Sequence, residues 1–386
     1  MNVLLMGDPN SVFIRDFCAN VLGGDEFNTT ILTQHKAINY KKDYQDHQIK
    51  VVLWPDLFLK GIRSQLRALT SIIKVWNRLG REIGFDDQID VLHVHYFEPL
   101  HLLYFFPFWR KAKRKILTFW GSDLLCASHY KLKLFPYFLK HATSIVFMIP
   151  NQYDCFCKNF GHKYDSKIHI IDFGNSQIDE IDCVNKKYGE EECKRHFGFP
   201  TDKYVVHIGY NACKEQQHVE LIKNIAMLPQ ELLTKMKFVL HMSYGKSTDF
   251  EMYKKCLTEM MDAFKMDYSI IEDYLQGEEL AMFRRTCNIF LYGQKTDARS
   301  ASPLEYVYAG AVFICPVWLA TNYKLFDKGN IKYYVYNRFE DLDKIMQQSL
   351  KELENPGEII SAFGREAIRK EKSWNSLSKE WRSLYE

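Results

Sequence analysis

The sequence predicts an α/β fold with two Rossmann-like domains that face each other across a cleft. Short apolar runs alternate with helical patterns, and the same alternation starts again after the middle of the chain. This alternation is typical of parallel, doubly wound sheets. The length of 386 residues is suited to two domains. We place the boundary between them near residues 175–200.

Each predicted element follows from a local pattern. In the first half a helix is expected at 11–22, stopped by Gly23 and Gly24, and strands are expected at 2–6, 51–54, 91–95, 116–119, 145–148 and 168–171. In the second half the strands are 204–209, 238–242, 269–271, 289–292, 312–315 and 333–336. The helices there lie near 218–227, from 249, at 277–285, at 303–309 and over most of 339–386. Ligands of such sheets bind outside the carboxyl ends of the strands, so the cleft is the expected site.

Composition excludes several classes of protein. Hydrophobic residues make up 47% of the chain and charged residues 26%, which excludes wholesale disorder. A net charge of +3 is too small for a chain-wide nucleic-acid surface, so no nucleic acid is expected as a partner. The ten cysteines form no paired Cys-x-x-Cys motif, which argues against zinc. The amino terminus lacks a signal-peptide pattern, so we expect a cytoplasmic protein, free or at the inner face of the membrane.

Basic and aromatic residues are concentrated between 57 and 115. This segment has 11 Lys and Arg against 5 Asp and Glu. Apolar residues recur at spacings of three and four from Leu59 to Trp76, which predicts one face of a helix. Two interpretations stay open: a core-facing helix with a solvated basic face, or peripheral contact with an anionic membrane.

The stretch 296–310 follows a strand and opens a helix. Ser302 is expected at the N-cap, Pro303 at the first helical position and Glu305 at the third. That arrangement is a capping box, which satisfies the helix amides without a ligand. A helix N-terminus in a cleft is also an anion-binding site, and a neighbouring carboxylate can accept hydrogen bonds from sugar hydroxyls.

The same stretch resembles a known motif. Asp297 and Glu305 are separated by seven residues, and the helix ends in Ala309-Gly310 before the next strand. The pattern is similar to the Glu-x7-Glu motif of family 4 retaining glycosyltransferases of the GT-B fold, with Asp in place of the first Glu. The resemblance implies that Asp297 lies near the donor sugar and that Glu305 holds the nucleotide ribose.

Other stretches carry the resemblance through the chain. Trp120-Gly-Ser-Asp123 is similar to the family's His-Gly-x-Asp loop, and its Trp form resembles the Fuc4NAc transferases of enterobacterial common antigen synthesis. Asp90-x-x-His93-x-His95 resembles a first-domain strand of the family. The resemblance implies an acceptor-binding domain at 1–178, a nucleotide-sugar-binding domain at 179–365 and a helix at 366–386 that crosses back to the first domain.

The candidate site residues follow from these motifs. The catalytic candidates are Asp297, Glu305, Asp123 and His95, with His93 as a further candidate base. The donor-binding candidates are Gly209, Asn211, Lys214, His218, Lys246, Arg299 and Ser302. The acceptor-binding candidates are Gly7, Asn10 and Trp120.

The resemblance implies a glycosyltransferase of the hexosyltransferase type. It would move a sugar from a nucleotide diphosphate to a glycan or lipid-linked acceptor in surface polysaccharide synthesis. A helix dipole with Lys, Arg or His can neutralise the leaving diphosphate, and no Asp-x-Asp stretch stands out as a metal motif, so we expect neither a metal nor a cofactor. An inverting reaction would need a general base from the first domain, whereas a retaining reaction would not. A sugar-nucleotide epimerase, a phosphorylase or a non-catalytic GT-B-like subunit are the alternatives.

Overall fold

The computed structural model describes residues 1–54, 76–84, 88–98, 102–296, 300–354 and 360–386. The described chain divides into two compact units. The first unit is Met1–Gly174 together with Trp374–Glu386, and the second is Asn175–Ser373. Most of the predicted basic helix at 59–76 lies outside the described residues, as do Asp297 and Arg299.

The first unit is built on a seven-stranded parallel sheet in the order β3-β2-β1-β4-β5-β6-β7. Its strands are β1 (Asn2–Met6), β2 (Asn28–Thr33), β3 (Lys50–Leu53), β4 (Val91–His95), β5 (Arg114–Phe119), β6 (Ser144–Phe147) and β7 (Ile168–Ile170). Its helices are α1 (Val12–Val21), α2 (Lys41–Asp46), α3 (described over 76–83), α4 (Leu102–Lys111), α5 (Ser122–Leu125), α6 (His129–His141), α7 (Pro150–Phe160) and, at the carboxyl end of the chain, α19 (Trp374–Ser383).

The second unit is built on a six-stranded parallel sheet in the order β10-β9-β8-β11-β12-β13. Its strands are β8 (Tyr204–Ile208), β9 (Met236–His241), β10 (Tyr268–Ile271), β11 (Ile289–Leu291), β12 (Val312–Pro316) and β13 (Tyr333–Tyr336). Its helices are α8 (Gln177–Lys187), α9 (Glu190–His196), α10 (His218–Ile225), α11 (Gln230–Thr234), α12 (Phe250–Ala263), α13 (Gly277–Arg285), α14 (Ala301–Ala309), α15 (Val317–Ala320), α16 (Lys324–Lys328), α17 (Leu342–Glu354) and α18 (Ala362–Lys372).

Alternate residues of each central strand enter different cores, as the period-two geometry of a strand requires. In β1, Leu4 and Met6 pack on one side of the sheet, whereas Val3 and Leu5 pack on the other. The second of these cores is closed by α19. Gly174 allows that closure, because a Cβ there would lie 2.3 Å from the Trp374 ring.

The structure confirms an α/β fold with two parallel sheets, and most predicted strands agree to within two residues. The prediction missed β2 and several helices, among them α2, α6, α7, α8 and α9. Because β2 reads Asn-Thr-Thr-Ile-Leu-Thr, it has few apolar residues, yet five of its six residues are buried. Threonine is β-branched and has a high strand propensity. Strand propensity therefore indicated β2, although the hydropathy pattern did not. Within the described part of the chain, no helix has the length and apolar character needed to span a membrane.

Candidate active site

Each sheet has one point where the strand order reverses. In the first sheet this switch point lies between β1 and β4, and in the second it lies between β8 and β11. The loops that follow these strands leave in opposite directions and open a crevice, where doubly wound sheets bind ligands. Both switch points carry residues that the sequence singled out.

A cavity of about 450 Å³ occupies the switch point of the first sheet. Three of the predicted residues, Gly7, His95 and Trp120, are in its wall. The other lining residues come from the ends of β1 to β4 and the loops after them: Met6, Asp8, Ser11, Leu32, Thr33, Gln34, His35, Trp54, Val94, Tyr96 and Glu98. The volume is in the range of small-molecule sites.

The two histidines of β4 have different surroundings although they lie on the same side of the strand, with ring centroids 4.0 Å apart. His93 bonds Tyr385 Oη at 2.6 Å and Thr118 Oγ1 at 2.7 Å, so both of its nitrogens are used. His95 accepts a long bond of 3.4 Å from Trp120 Nε1, and its buried Nε2 has no partner among the described residues. Burial lowers the pKa of His95 to about 3, so the ring is neutral at physiological pH. His93 therefore braces the fold, whereas His95 lines the cavity and has a buried nitrogen without a partner among the described residues.

Asp123 organises the loop after β5. Its carboxylate accepts bonds from the backbone amides of Phe97, Trp120 and Gly121, at 2.8, 3.0 and 2.9 Å. Burial raises its pKa to about 6 even though these amides favour the charged form. With its oxygens committed to amides, Asp123 holds Trp120 in place. Its assignment as a catalytic base stays a prediction.

Asn10 joins two loops at the same edge of the first sheet. Its Nδ2 donates to the Ala37 carbonyl at 2.9 Å, and its Oδ1 accepts from the Asn39 amide at 2.8 Å. Both side-chain ends are used, and Asn10 is not among the residues that line the cavity. It supports the loop that carries Gly7 and Asp8.

In the second unit, a buried ion pair joins α13 to α14. Arg284 Nε and Nη2 each lie 3.1 Å from Glu305 Oε2, and Nη2 also donates to Ser302 Oγ at 3.0 Å. Asn175 Nδ2 donates to the other Glu305 oxygen at 3.1 Å. The guanidinium lies 4.1 Å from the centroid of the Tyr306 ring, and its buried Nη1 has no partner among the described residues. Burying such a pair is costly, which marks it as a functional candidate.

The predicted capping box is wrong. Helix α14 starts at Ala301, so its N-cap is Ser300, and Ser302 is the second residue of the helix. The Ser300 side chain does not cap the helix and instead bonds Tyr210 Oη at 2.6 Å. Glu305 does not return to the N-cap amide because Arg284 and Asn175 hold its carboxylate. These tertiary partners outcompete the local bond that the sequence pattern favours.

The loop between β8 and α10 holds a second set of buried polar groups. Gly209 follows β8 with φ of +67°, and a Cβ there would stand 2.8 Å from His218 Nε2 and 3.0 Å from Gln216 Oε1. Neither of these atoms has a partner in the described structure, and the same is true of Gln216 Nε2. His218 Nδ1 lies 3.0 Å from Tyr253 Oη, and burial lowers the pKa of His218 to about 4. When Tyr253 donates to Nδ1, the neutral ring presents an N–H at Nε2.

The remaining donor-binding candidates have partners at the surface or within the loop. Lys214 pairs with Asp249, and Lys246 pairs with Glu272 at 2.8 Å. Asn211 is buried, and its Oδ1 accepts from the Cys213 amide at 2.9 Å, which shapes the turn after β8. Nothing in these contacts tests whether the two lysines bind a donor, so that role stays a prediction.

One cluster of potential metal ligands occurs among the residues that the structure describes. The donor atoms of Cys157, His162 and Asp165 lie within 4.8 Å of one another. They stand at and after the carboxyl end of α7, which runs back from the end of β6. The cluster is therefore at the opposite edge of the first sheet from the cavity.

Sequence reasoning missed several residues of the cavity and of the buried polar groups. Arg284 and Gln216 in the second unit, and Asp8 and Glu98 in the first, were not singled out. Arg284 sits in the last turn of a helix, where a basic residue has an ordinary explanation, and its partner Glu305 is 21 residues away. Asp8 was visible in the sequence, because it directly follows the Gly7 that ends β1.

No protein-family model and no curated protein sequence matches the chain. Solved structures do match it over nearly its whole length. A glycosyltransferase from Rickettsia africae aligns with a TM-score of 0.74 at 14% identity, covering 100% of this chain and 97% of its own. HepE of Anabaena, in complex with UDP and glucose, aligns at 0.65 and 12% identity, covering 99% and 98%. Sucrose-phosphate synthase of Thermosynechococcus elongatus aligns at 0.68 and 12% identity, covering 100% and 98%.

These likenesses define the fold. The chain has the GT-B fold, with two parallel-stranded α/β units. At identities of 9–14%, the comparison establishes architecture and leaves substrate to the site itself.

Proposed function

We propose that the chain is a metal-independent glycosyltransferase of the hexosyltransferase type that uses a nucleotide diphosphate sugar. Its acceptor is a glycan or a lipid-linked molecule in surface polysaccharide synthesis, and it works at the cytoplasmic face of the membrane. The observation that carries the proposal is the buried polar edge of the second sheet, on a GT-B fold. After β8, the buried side chains of Gln216 and His218 have polar atoms without a partner in the described structure. A buried ion pair joins Arg284 of α13 to Glu305 of α14.

This edge has the groups that a nucleotide diphosphate needs. Glu305 can accept bonds from ribose hydroxyls while Arg284 holds its carboxylate in a fixed orientation. Gln216 Nε2 and His218 Nε2 are neutral donors that suit phosphate oxygens, and the N-terminus of α14 adds a favourable dipole. HepE of Anabaena was solved with UDP and with UDP-glucose, so a uridine diphosphate sugar is the donor we propose to test first.

A retaining reaction is the stereochemical outcome we propose. Of the predicted bases, His95 has a pKa of about 3, His93 uses both nitrogens, and Asp123 is committed to backbone amides. Neither histidine is suited to take a proton at neutral pH, and Asp123, whose pKa of about 6 would suit a base, has its oxygens bonded to three backbone amides. The carboxylates Asp8 and Glu98 line the cavity, and an inverting reaction would run through one of them.

A thermal-shift panel with UDP, GDP, TDP and CMP, each with Mg²⁺ or with EDTA, tests the proposal. A ligand at 100 times its Kd stabilises the folded form by about 2.7 kcal/mol. We expect UDP to raise the Tm equally with Mg²⁺ and with EDTA. The exposed Glu279→Gln is the control for Glu305→Gln, and only the latter should lose the shift. No shift with any nucleotide would favour a non-catalytic subunit, and a shift only with Mg²⁺ would contradict metal independence.

A further inference from the structure

Helix α6 in the first unit has an exposed apolar stripe. Tyr130, Leu134 and Tyr137 recur at spacings of four and three, which places them on one face of the helix. They are 80%, 48% and 46% exposed, and Leu125 from α5 is 47% exposed. The opposite face, with Phe135, Phe138 and Leu139, is buried in the core. A helix that already packs one apolar face into the core has no structural need for a second apolar face on its surface.

The surroundings of this stripe are strongly basic. Residues 102–141 contain eight lysines and arginines against one acidic residue, Asp123, which is buried. Helix α6 has no acidic residue, and the exposed Lys133 and Lys140 flank the stripe. Helix α4 packs beside α6, with Trp109 and Phe138 ring centroids 5.3 Å apart, and it ends in the exposed Arg110 and Lys111. The chain as a whole carries only +3, so the positive charge is concentrated here.

We infer that α6 and the end of α4 form a docking surface for an anionic lipid membrane. Apolar and aromatic side chains enter the interface between headgroups and acyl chains, and lysines beside them are attracted to anionic headgroups. A protein partner would need an apolar groove ringed by acidic residues. An anionic membrane offers both an apolar interior and negative charge over a continuous plane. This surface lies mostly outside the segment 57–115 that the sequence indicated.

The surface adjoins the cavity of the first unit. Lys131 of α6 pairs with Glu98, and Glu98 lines that cavity. An acceptor anchored in the membrane would therefore have its polar end next to the cavity. The inference names the surface behind the proposed membrane contact, but it does not rest on the reaction, because vesicle binding is measured without donor or acceptor.

Cosedimentation with vesicles tests the docking surface. The full chain is mixed with vesicles of phosphatidylcholine alone, or of phosphatidylcholine and phosphatidylglycerol in equal parts. We expect binding to the anionic vesicles that weakens as salt is raised. Lys133→Gln with Lys140→Gln should reduce partitioning about thirtyfold, and Tyr130→Ser with Leu134→Ser by about tenfold or more.

Matched controls come from the second unit. Lys235→Gln with Lys344→Gln removes the same charge from exposed positions, and Tyr274→Ser removes an exposed aromatic ring. These variants should bind vesicles as the wild type does, and all variants should keep the wild-type Tm. Equal binding by the α6 variants and the wild type, binding to neutral vesicles as strong as to anionic ones, or no vesicle binding by the wild type would each overturn the inference. Binding to duplex DNA in place of vesicles would overturn it too.

Discussion

Arg284 and Glu305 form a buried pair whose two members depend on each other. Their side chains are 4% and 8% exposed, and each would be left charged and without its main partner if the other were removed. Breaking such a pair costs about 3–5 kcal/mol, whereas replacing both members by neutral residues costs less. The pair is thus a structural link between α13 and α14 as well as part of the proposed ribose site.

A double-mutant cycle measures this dependence. We expect Arg284→Met and Glu305→Gln each to lower the free energy of unfolding by about 3 kcal/mol, and the double variant to lose less than the sum. Urea denaturation gives the values. The exposed pair Lys255–Glu259, at 3.7 Å, is the control, and its cycle should show a coupling below about 1 kcal/mol. Additive losses at Arg284 and Glu305 would contradict a paired role.

Asp123 should make stability depend on pH. Burial raises its pKa from the ordinary 3.8 to about 6, so the folded chain binds this proton more tightly than the unfolded chain. The stabilisation is present below about pH 4 and is lost as the pH rises to about 6. Relative to Asp123→Asn, the wild type should lose about 2–3 kcal/mol across that window.

Urea midpoints measured across this pH range check the prediction. Asp154→Asn, at an exposed position of α7, serves as the control, and its profile should run parallel to that of the wild type. Parallel profiles for Asp123→Asn and the wild type would mean that the amide bonds of Phe97, Trp120 and Gly121 outweigh the burial of the carboxylate.

At the scale of elements, Gly209 shows how a loop is fitted to its site. Its φ of +67° is unfavourable for other residues, and a Cβ would also press on His218 and Gln216. Gly198 has a nearly identical φ of +69°, but a Cβ there would meet no atom within 4 Å, so it isolates the backbone effect. Gly209→Ala should weaken UDP binding about tenfold or more, whereas Gly198→Ala should cost only stability, about 1 kcal/mol.

Isothermal titration with UDP separates the two effects, and urea denaturation gives the stability of both variants. Wild-type UDP affinity in Gly209→Ala would show that the β8–α10 loop does not form the nucleotide site. Loss of affinity in both would attribute the effect to general destabilisation.

Elements with a strong period were predictable, and those held by distant partners were not. The bounds of β4, α13 and β13 agree with the prediction, because apolar runs and glycines mark them locally. The start of α14 was misplaced because Ser302 and Glu305 accept hydrogen bonds from Arg284, a residue on another helix. The prediction that His93 and His95 point to the same side of β4 was right, because residues two apart share a strand face.

At the scale of the whole molecule, the two-sheet α/β fold was predictable because strand and helix patterns alternate twice along the chain. The strand orders themselves were not, since they depend on which strands pair. Of the predicted site residues, Gly7, His95 and Trp120 line one cavity, and Gly209 lies against His218 in the β8–α10 loop, while their roles stay predictions. Arg284 and Gln216 could not be predicted, because their burial, and the side-chain atoms left without a partner, arise only in the folded chain.

The measurement that tests the central claim most directly is a calorimetric titration of UDP into the full chain in EDTA. We expect one UDP per chain, with affinity reduced at least about tenfold in His218→Phe, which keeps an aromatic ring but removes both ring nitrogens, and in Glu305→Gln. Glu279→Gln should bind as the wild type does. UDP that does not bind, or that binds all four proteins equally, would contradict a nucleotide site at the buried polar edge of the second sheet.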